Sequence, residues 1–376
     1  MAATQKDPVI VVLQLTGGND YLNTVIPYNN PLYKDNRKAV GIGDNQILQL
    51  DQNFGFPSYL KAMKGFWDAG NLAIMHGVGY LDSPRSHFRS MDIWHTCEPD
   101  KVGTEGWLGR VVREFDPKKE NVVTCVSMGP SLFRALSVPG VPVACVAGPL
   151  ETYGFLPGIQ EKTQRQMILD RFSRMYTPEP GSGVMEYLGT TGQDSLLGAD
   201  ILKVAPIKYK SEVKYPDTPI GRKLKGIAQV HCADLGTRVF YCDYGSFDTH
   251  AGQGPLHQSL WTAVNQGLEA FMTDLRQQNH SDNVIVLMFS EFGRRVRDNG
   301  SGTDHGAAGA TFVLGDKVKG GHYGEMPSLD AGKLVQGDLN PNMDFRDIYS
   351  TILEKWLKLD PVPIVNGTYE QPAFLN

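Results

Sequence analysis

Asp248 and His250, in Gly245-Ser246-Phe247-Asp248-Thr249-His250, set a carboxylate and an imidazole two residues apart. In extended chain such residues point to the same side, which makes them a natural pair of ligands for zinc or a similar ion; a structural Asp–His hydrogen bond is the alternative. Glu291 follows the all-apolar run Val284–Phe289 almost directly, in Ser290-Glu291-Phe292-Gly293-Arg294-Arg295. A carboxylate in that place is seldom there for packing, so it is a further candidate ligand. Arg294 and Arg295 can hold an anionic group by bidentate hydrogen bonds, with a solvated surface role as the alternative for each. A glycine-rich loop, Asn299-Gly300-Ser301-Gly302-Thr303-Asp304-His305-Gly306, adds Asp304 and His305. Asp20, in Gly17-Gly18-Asn19-Asp20, can aim a carboxylate at a cation or cap a turn.

Taken together, Asp, Asp-x-His, Glu and Asp-His form a mixed carboxylate and imidazole set. It suits Zn²⁺ or Mn²⁺, then Mg²⁺, with Ca²⁺ less suited because of the histidines. The candidate nucleophile lies in Ser83-Pro84-Arg85-Ser86-His87-Phe88-Arg89-Ser90. Serine before proline reads as an N-cap, so Ser83 is expected to open a helix, whose free N–H groups favour an anion. Ser86, flanked by Arg85, His87 and Arg89, is the candidate reactive group, and a purely structural serine is the alternative. A metal-bound serine hydroxyl has a lowered pKa and can attack phosphorus or sulfur. Arg89 and Arg294 are expected to act with it on the anion.

These groups need a scaffold that gathers them. Apolar, β-branched runs read as strands at Val9–Leu15, 72–75, 121–126, 141–146, 238–242, Val284–Phe289 and 310–314. Helices are expected at 57–69, from Ser83 to about 96, at 159–175, 219–233, 256–278 and 345–357. Such alternation predicts an α/β fold, a largely parallel central sheet with helices on both faces. In open parallel sheets ligands bind beyond the carboxyl ends of the strands. Asp20, Ser86, Asp248, His250, Glu291 and His305 are therefore expected to converge at one sheet edge. Residues 1–376 read as one domain, with a flap or insertion around 176–216, a stretch richer in Gly, Pro and Ser.

Composition narrows the function classes. With 376 residues, 41% hydrophobic and 20% charged, the chain can bury a large core, and a net charge of -5 gives no basic face for nucleic acid. No run reaches the roughly 18 apolar residues of a membrane span. Five scattered cysteines lack the CxxC spacing of a zinc or redox site.

LTGGNDYLNTVIPY (15–28), SPRSHFRSMDIW (83–94), GSFDTH (245–250), SEFGRRVRDNGSGTDHGAA (290–308) and DFRDIYSTILEKWL (344–357) carry a resemblance that spans essentially the whole chain. The sequence resembles an uncharacterised sulfatase-like family of the alkaline phosphatase superfamily, whose bacterial members are commonly exported by the twin-arginine route. The resemblance implies an alkaline phosphatase-like fold, a divalent metal and a small anionic ester as substrate. By its two-metal scheme Asp20 matches the aspartate after the first strand, and Asp248 with His250 the pair on one metal. Glu291 stands where an Asp-His dipeptide binds the second metal, and His305 matches the last histidine. Two departures stand out: Glu291-Phe292 replaces Asp-His, and Asp82 occupies the first position of the sulfatase nucleophile motif. The expectation is thus a metal-dependent hydrolase of phosphate or sulfate esters, against a non-catalytic binding or assembly protein with a degenerate metal site. Export implies the periplasm or cell surface, with cytosolic residence as the alternative.

Overall fold

The structure is a computed structural model that describes residues 6–152, 159, 161–176 and 183–376. Its organising strand is β1, Val9–Leu15, buried along its whole length. Val9, Val11, Leu13 and Leu15 pack into one core, while Ile10 and Val12 pack into another on the opposite face. A strand apolar on both faces fits only the middle of a covered sheet, and β1 lies there.

The remaining strands follow in chain order. They are β2 (Ile47–Gln49), β3 (Gly55–Pro57), β4 (Leu72–Gly79), β5 (Cys125–Met128), β6 (Ala144–Cys145), β7 (Val239–Tyr244), β8 (Val284–Phe289), β9 (Gly309–Leu314), β10 (Gly321–Tyr323) and β11 (Met343–Asp344). β2 and β3 form a separate antiparallel pair. The main sheet runs β10-β4-β9-β8-β1-β7-β5-β6, with β11 added to the end of β4. Among the described residues only β9 runs antiparallel within it, to both β4 and β8; the other pairings are parallel.

Helices cover both faces. Lys61–Asp68, Pro219–Cys232 and Gln253–Gln277 supply Met63, Phe66, Leu224, Ile227, Trp261 and Phe271 to the first core. His87–Thr96, Trp107–Phe115 and Phe345–Thr351, the last continuing as a π-helix Ile352–Leu357, supply Trp94, Trp107, Leu108, Ile348 and Leu353 to the second. The mixed α/β architecture with a mostly parallel sheet is therefore as the periodicity predicts.

Several elements differ from expectation. The helix expected from Ser83 starts at His87, because Asp82 (φ 57) and Arg85 (φ 51) take left-handed backbone that no helix continues through. The 141–146 run contributes only Ala144–Cys145, at the edge of the sheet, since Pro142 has no N–H to give a ladder. The expected flap at 176–216 contains the helix Val184–Leu202 and the turn Ala205–Lys208, while its residues 177–182 lie outside the described residues, as does the expected helix position 160. Residues 1–5 also lie outside them. No disulfide forms among the described residues, and no described helix is long and apolar enough to cross a membrane.

One topological detail positions the site. The carboxyl ends of β1, β4, β7 and β8 share an edge, and because β9 runs the other way its amino end lies there too. Residues just before β9 thus meet residues just after the parallel strands.

Candidate metal centre

The loop after β7 is pinned by Phe247, which is fully buried, and this leaves Asp248 at the sheet edge. Arg294, also buried, holds it there. Its Nη2 donates to Asp248 Oδ1 at 2.6 Å and to the Phe247 carbonyl at 2.9 Å, Nε to the Gly18 carbonyl at 2.7 Å, and Nη1 to the Thr303 carbonyl at 2.9 Å. Nη2 also meets the Gly17 carbonyl. One guanidinium so ties together the segments that follow β1, β7 and β8. Partial burial pushes the Asp248 carboxyl up, but the hydrogen bond from Arg294 and its charge win and hold it at about 2, so it is ionised near neutral pH.

Three imidazoles surround this carboxylate. Each has its Nδ1 beside an acceptor: His87 at 2.7 Å from Glu291 Oε1, His250 at 3.2 Å from Asp304 Oδ1, and His305 at 3.0 Å from the Arg85 carbonyl. Those acceptors assign the proton to Nδ1 and leave Nε2 with its lone pair. The Nε2 atoms then converge, with His305 Nε2 at 3.0 Å from that of His87 and 3.0 Å from that of His250. Asp248 Oδ1 lies 3.0 Å from Nε2 of both His250 and His305, and Oδ2 lies 3.5 Å from Nε2 of His87. The donor atoms of His87, Asp248 and His305 all lie within 4.8 Å of one another. Lone pairs facing one another repel, and a cation among them turns repulsion into bonding. Two donors bound tetrahedrally at about 2.0–2.1 Å sit roughly 3.3 Å apart, close to the spacing here. The donor set fits zinc or another imidazole-favouring divalent ion.

Glu291 is fully buried and accepts the Gly17 N–H at 2.9 Å on Oε1. Gly17 permits this approach: its φ is 121°, and a Cβ there would lie 2.4 Å from the Asp248 nitrogen. The Glu291 hydrogen bond also draws the His87 pKa up from its ordinary value.

The structure redistributes the roles expected from sequence. Asp248, His250 and His305 lie together at the sheet edge. Glu291 and Asp304, expected as ligands, lie behind the imidazoles and hold His87 and His250 through their Nδ1 atoms. Asp20 is not in the cluster. Its carboxylate is buried against Arg37, whose Nη2 donates to Oδ1 at 2.9 Å, and it accepts a further bond from Gln253. Burial raises the Asp20 carboxyl, yet the Arg37 charge and hydrogen bonds leave it lowered overall. Arg294, expected to hold substrate, spends its donors within the protein. Arg89 also turns elsewhere, to Asp92 at 2.6 Å and to the carbonyls of Glu98 and Pro99. Ser86 precedes the helix at the capping position but makes no side-chain cap hydrogen bond. His87, named only as a neighbour of Ser86, is the ligand candidate that sequence reasoning passed over; the signal was a histidine adjoining the candidate nucleophile.

The Asp20–Arg37 pair carries a test. Asp20→Asn leaves a buried guanidinium uncompensated and should destabilise the fold by about 3–5 kcal/mol, read by urea unfolding in chelator, with zinc affinity little changed. Lost zinc binding at unchanged stability would return Asp20 to the metal centre.

The chain is thus an α/β protein with a histidine-rich centre at the carboxyl edge of a mostly parallel sheet. A family described as a protein of unknown function, DUF1501, matches residues 219–370. That stretch includes Asp248, His250, Glu291, Arg294, Asp304 and His305 but not His87. No curated protein matches the chain. Among solved structures, the chain is similar to the lipoteichoic acid synthase of Listeria monocytogenes (8% identity, 89% of this chain and 75% of that one, TM-score 0.39). It is also similar to a sulfatase from Pseudoalteromonas sp. (12%, 96% and 68%, 0.39) and to an alkaline phosphatase superfamily protein from Vibrio parahaemolyticus (7%, 96% and 71%, 0.35). Likenesses this distant assign no activity to this chain.

Proposed function

We propose that this chain is a metal-dependent hydrolase of phosphate or sulfate esters, working with one divalent cation, Zn²⁺ or Mn²⁺ before Mg²⁺ or Ca²⁺, held by His87, Asp248, His250 and His305. The observation that carries the reading is the convergence of three Nε2 lone pairs on an ionised carboxylate, each imidazole fixed from behind through Nδ1. Such outer partners set the tautomer and ring orientation that ligation requires. Bound there, the cation would supply Lewis-acid polarisation of an ester oxygen and lower the pKa of a bound hydroxyl. Asp248 contributes the anionic donor, and Arg294 keeps it aimed. Ser86 adjoins His87, and its hydroxyl makes no cap hydrogen bond, which makes it the candidate nucleophile. One cation rather than two is proposed because the Asp20 carboxylate is paired with Arg37. A small anionic ester is the substrate this site suits, and the periplasm or cell surface is the location that the sequence resemblance favours.

A second reading, a non-catalytic binding protein, draws on Arg89 and Arg294 both being committed to protein partners. Metal analysis and an activity panel separate the two. The hydrolase should retain about one equivalent of zinc after dialysis. It should cleave at least one of p-nitrophenyl phosphate, bis-p-nitrophenyl phosphate and p-nitrophenyl sulfate, lose that activity in chelator, and regain it with Zn²⁺ or Mn²⁺. Zinc retention without activity on any of the three favours the binder, and no zinc retention removes both the centre and the hydrolase.

A further inference from the structure

Two arginines brace the metal centre through their backbones while their side chains turn away from it. The Arg85 carbonyl accepts from His305 Nδ1 at 3.0 Å, and the Arg295 N–H donates to the Asp304 carbonyl at 3.0 Å. Both side chains turn to one carboxylate, Asp338, which is only 3% exposed. Arg85 Nε donates to Asp338 Oδ2 at 2.6 Å, and Arg295 Nε lies 3.7 Å from Oδ1. Asp338 is itself fixed by a tight turn, its N–H and carbonyl each bonded to Val335 at 3.0 Å. Its Oδ1 is buried and lacks a hydrogen-bond partner among the described residues.

Two guanidinium ions meet at one buried carboxylate, and the only other acid that feels the Arg295 charge among the described contacts is Asp304, which is half exposed and turned to His250. Among the described residues, no Nη donor of Arg85 or Arg295 has a hydrogen-bond partner, although the side chains are only 27% and 38% exposed. An arginine anchored through Nε, with both Nη groups unspent, presents the flat two-pronged face that matches carboxylate or phosphate oxygens. A solvated surface arginine has no such anchor.

We infer that Arg85 and Arg295, held by Asp338, form a second anion-binding site beside the metal centre, and that the ester cleaved there carries a second anionic group on its alcohol portion. The inference rests on the hydrolase reading for the word ester; the anion site itself does not. Asp338 positions the arginines, and the arginines fix specificity by rewarding the second charge.

Binding of non-hydrolysable probes tests this without requiring turnover. Phenylphosphonate carries one anionic group, and 2-, 3- and 4-phosphonobenzoate add a carboxylate at three distances. Titrated into zinc-loaded protein, at least one isomer should bind tenfold or more tighter than phenylphosphonate. Arg85→Ala and Arg295→Ala should each remove most of that gain, Arg295→Lys should keep part of it, and Asp338→Asn should weaken it. Zinc content is measured on every variant, so that a misfolded protein is recognised and replaced by the lysine variant. Absence of any gain in the wild type, or a gain that survives both arginine substitutions, overturns the proposal. If an isomer binds through the arginines while zinc and phenylphosphonate do not bind, the hydrolase reading fails and the anion site stands.

Discussion

Replacing His250 with alanine should lower zinc affinity by more than the roughly 10–100-fold that loss of an orienting partner costs. The substitution removes a donor atom, and Asp248 then faces the cation with two imidazoles. Asp304→Asn provides the internal comparison. It leaves Nε2 of His250 in place and weakens only the contact behind it, so a loss of about tenfold is expected. Competition against a chelating dye at pH 7.5 measures both. Lowering the pH should weaken zinc binding in the wild type as well, because protons compete for imidazole nitrogen. The raised pKa of His87 starts that competition above the ordinary histidine range. If instead Asp248 and His250 form a structural pair, His250→Ala would melt at a lower temperature equally with and without metal, and its zinc content would match the wild type.

Acidification from pH 7 to pH 5 should destabilise the metal-free fold by about 5 kcal/mol or more. Four histidines are buried and kept neutral: His76 and His95 are pushed down to about 3, and His231 and His257 to about 4, in each case chiefly by burial. Their neutral forms are used, as in His95, whose Nε2 lies 2.8 Å from Gln14 Oε1 and 3.0 Å from the Tyr241 hydroxyl. In the unfolded chain each titrates near 6.5. Below that pH the unfolded state binds a proton that the folded state refuses, and stability falls by about 1.4 kcal/mol per pH unit per group until the folded pKa is reached. At pH 5 this comes to roughly 2 kcal/mol for each of the four. Asp347 opposes them. Burial raises its carboxyl to about 6, so the folded state takes up a proton first and gains about 1.4 kcal/mol by pH 5. His87, also raised, acts in the same direction as Asp347. Urea unfolding in chelator at pH 7, 6 and 5 gives the slope. Equal stability at pH 7 and pH 5 would mean that these histidines are not held neutral.

The parts of the fold that could be read from sequence are those where one stretch carries its own signal. Val9–Leu15 and Val284–Phe289 are apolar on both faces, and their bounds coincide with β1 and β8. The direction of a strand leaves no such mark. β9 has the same apolar content whichever way it runs, so the sequence could not say why His305, which precedes a strand, would meet residues that follow strands. His87 was hidden by Ser83-Pro84, which looks like a helix start; the left-handed backbone at Asp82 and Arg85 that delays the helix is rare away from glycine. Arg294 and Arg295 are adjacent and chemically identical. The carbonyls of Gly17, Gly18 and Phe247 and the Asp248 carboxylate, contributed from far along the chain, enclose the first and not the second. Asp20 looked like a metal aspartate because the strand and its glycines are local, whereas the cation that claims it, Arg37, lies on a separate segment.

β1 is the first strand of the main sheet along the chain and sits in its middle, and this fixes an order of events during synthesis. Its neighbours begin at Val239 and Val284, which pair with Ile10 and Val9, so both partners emerge more than two hundred residues later. At translation rates of about 5–20 residues per second, β1 waits on the order of tens of seconds with both edges open and both faces apolar. Nothing made in the interval supplies either missing edge, since the earlier strands β4, β5 and β6 occupy positions farther out. Nascent chains stalled before Val239 should therefore depend on chaperones to stay dispersed, and the sheet can close only when the last third of the chain arrives.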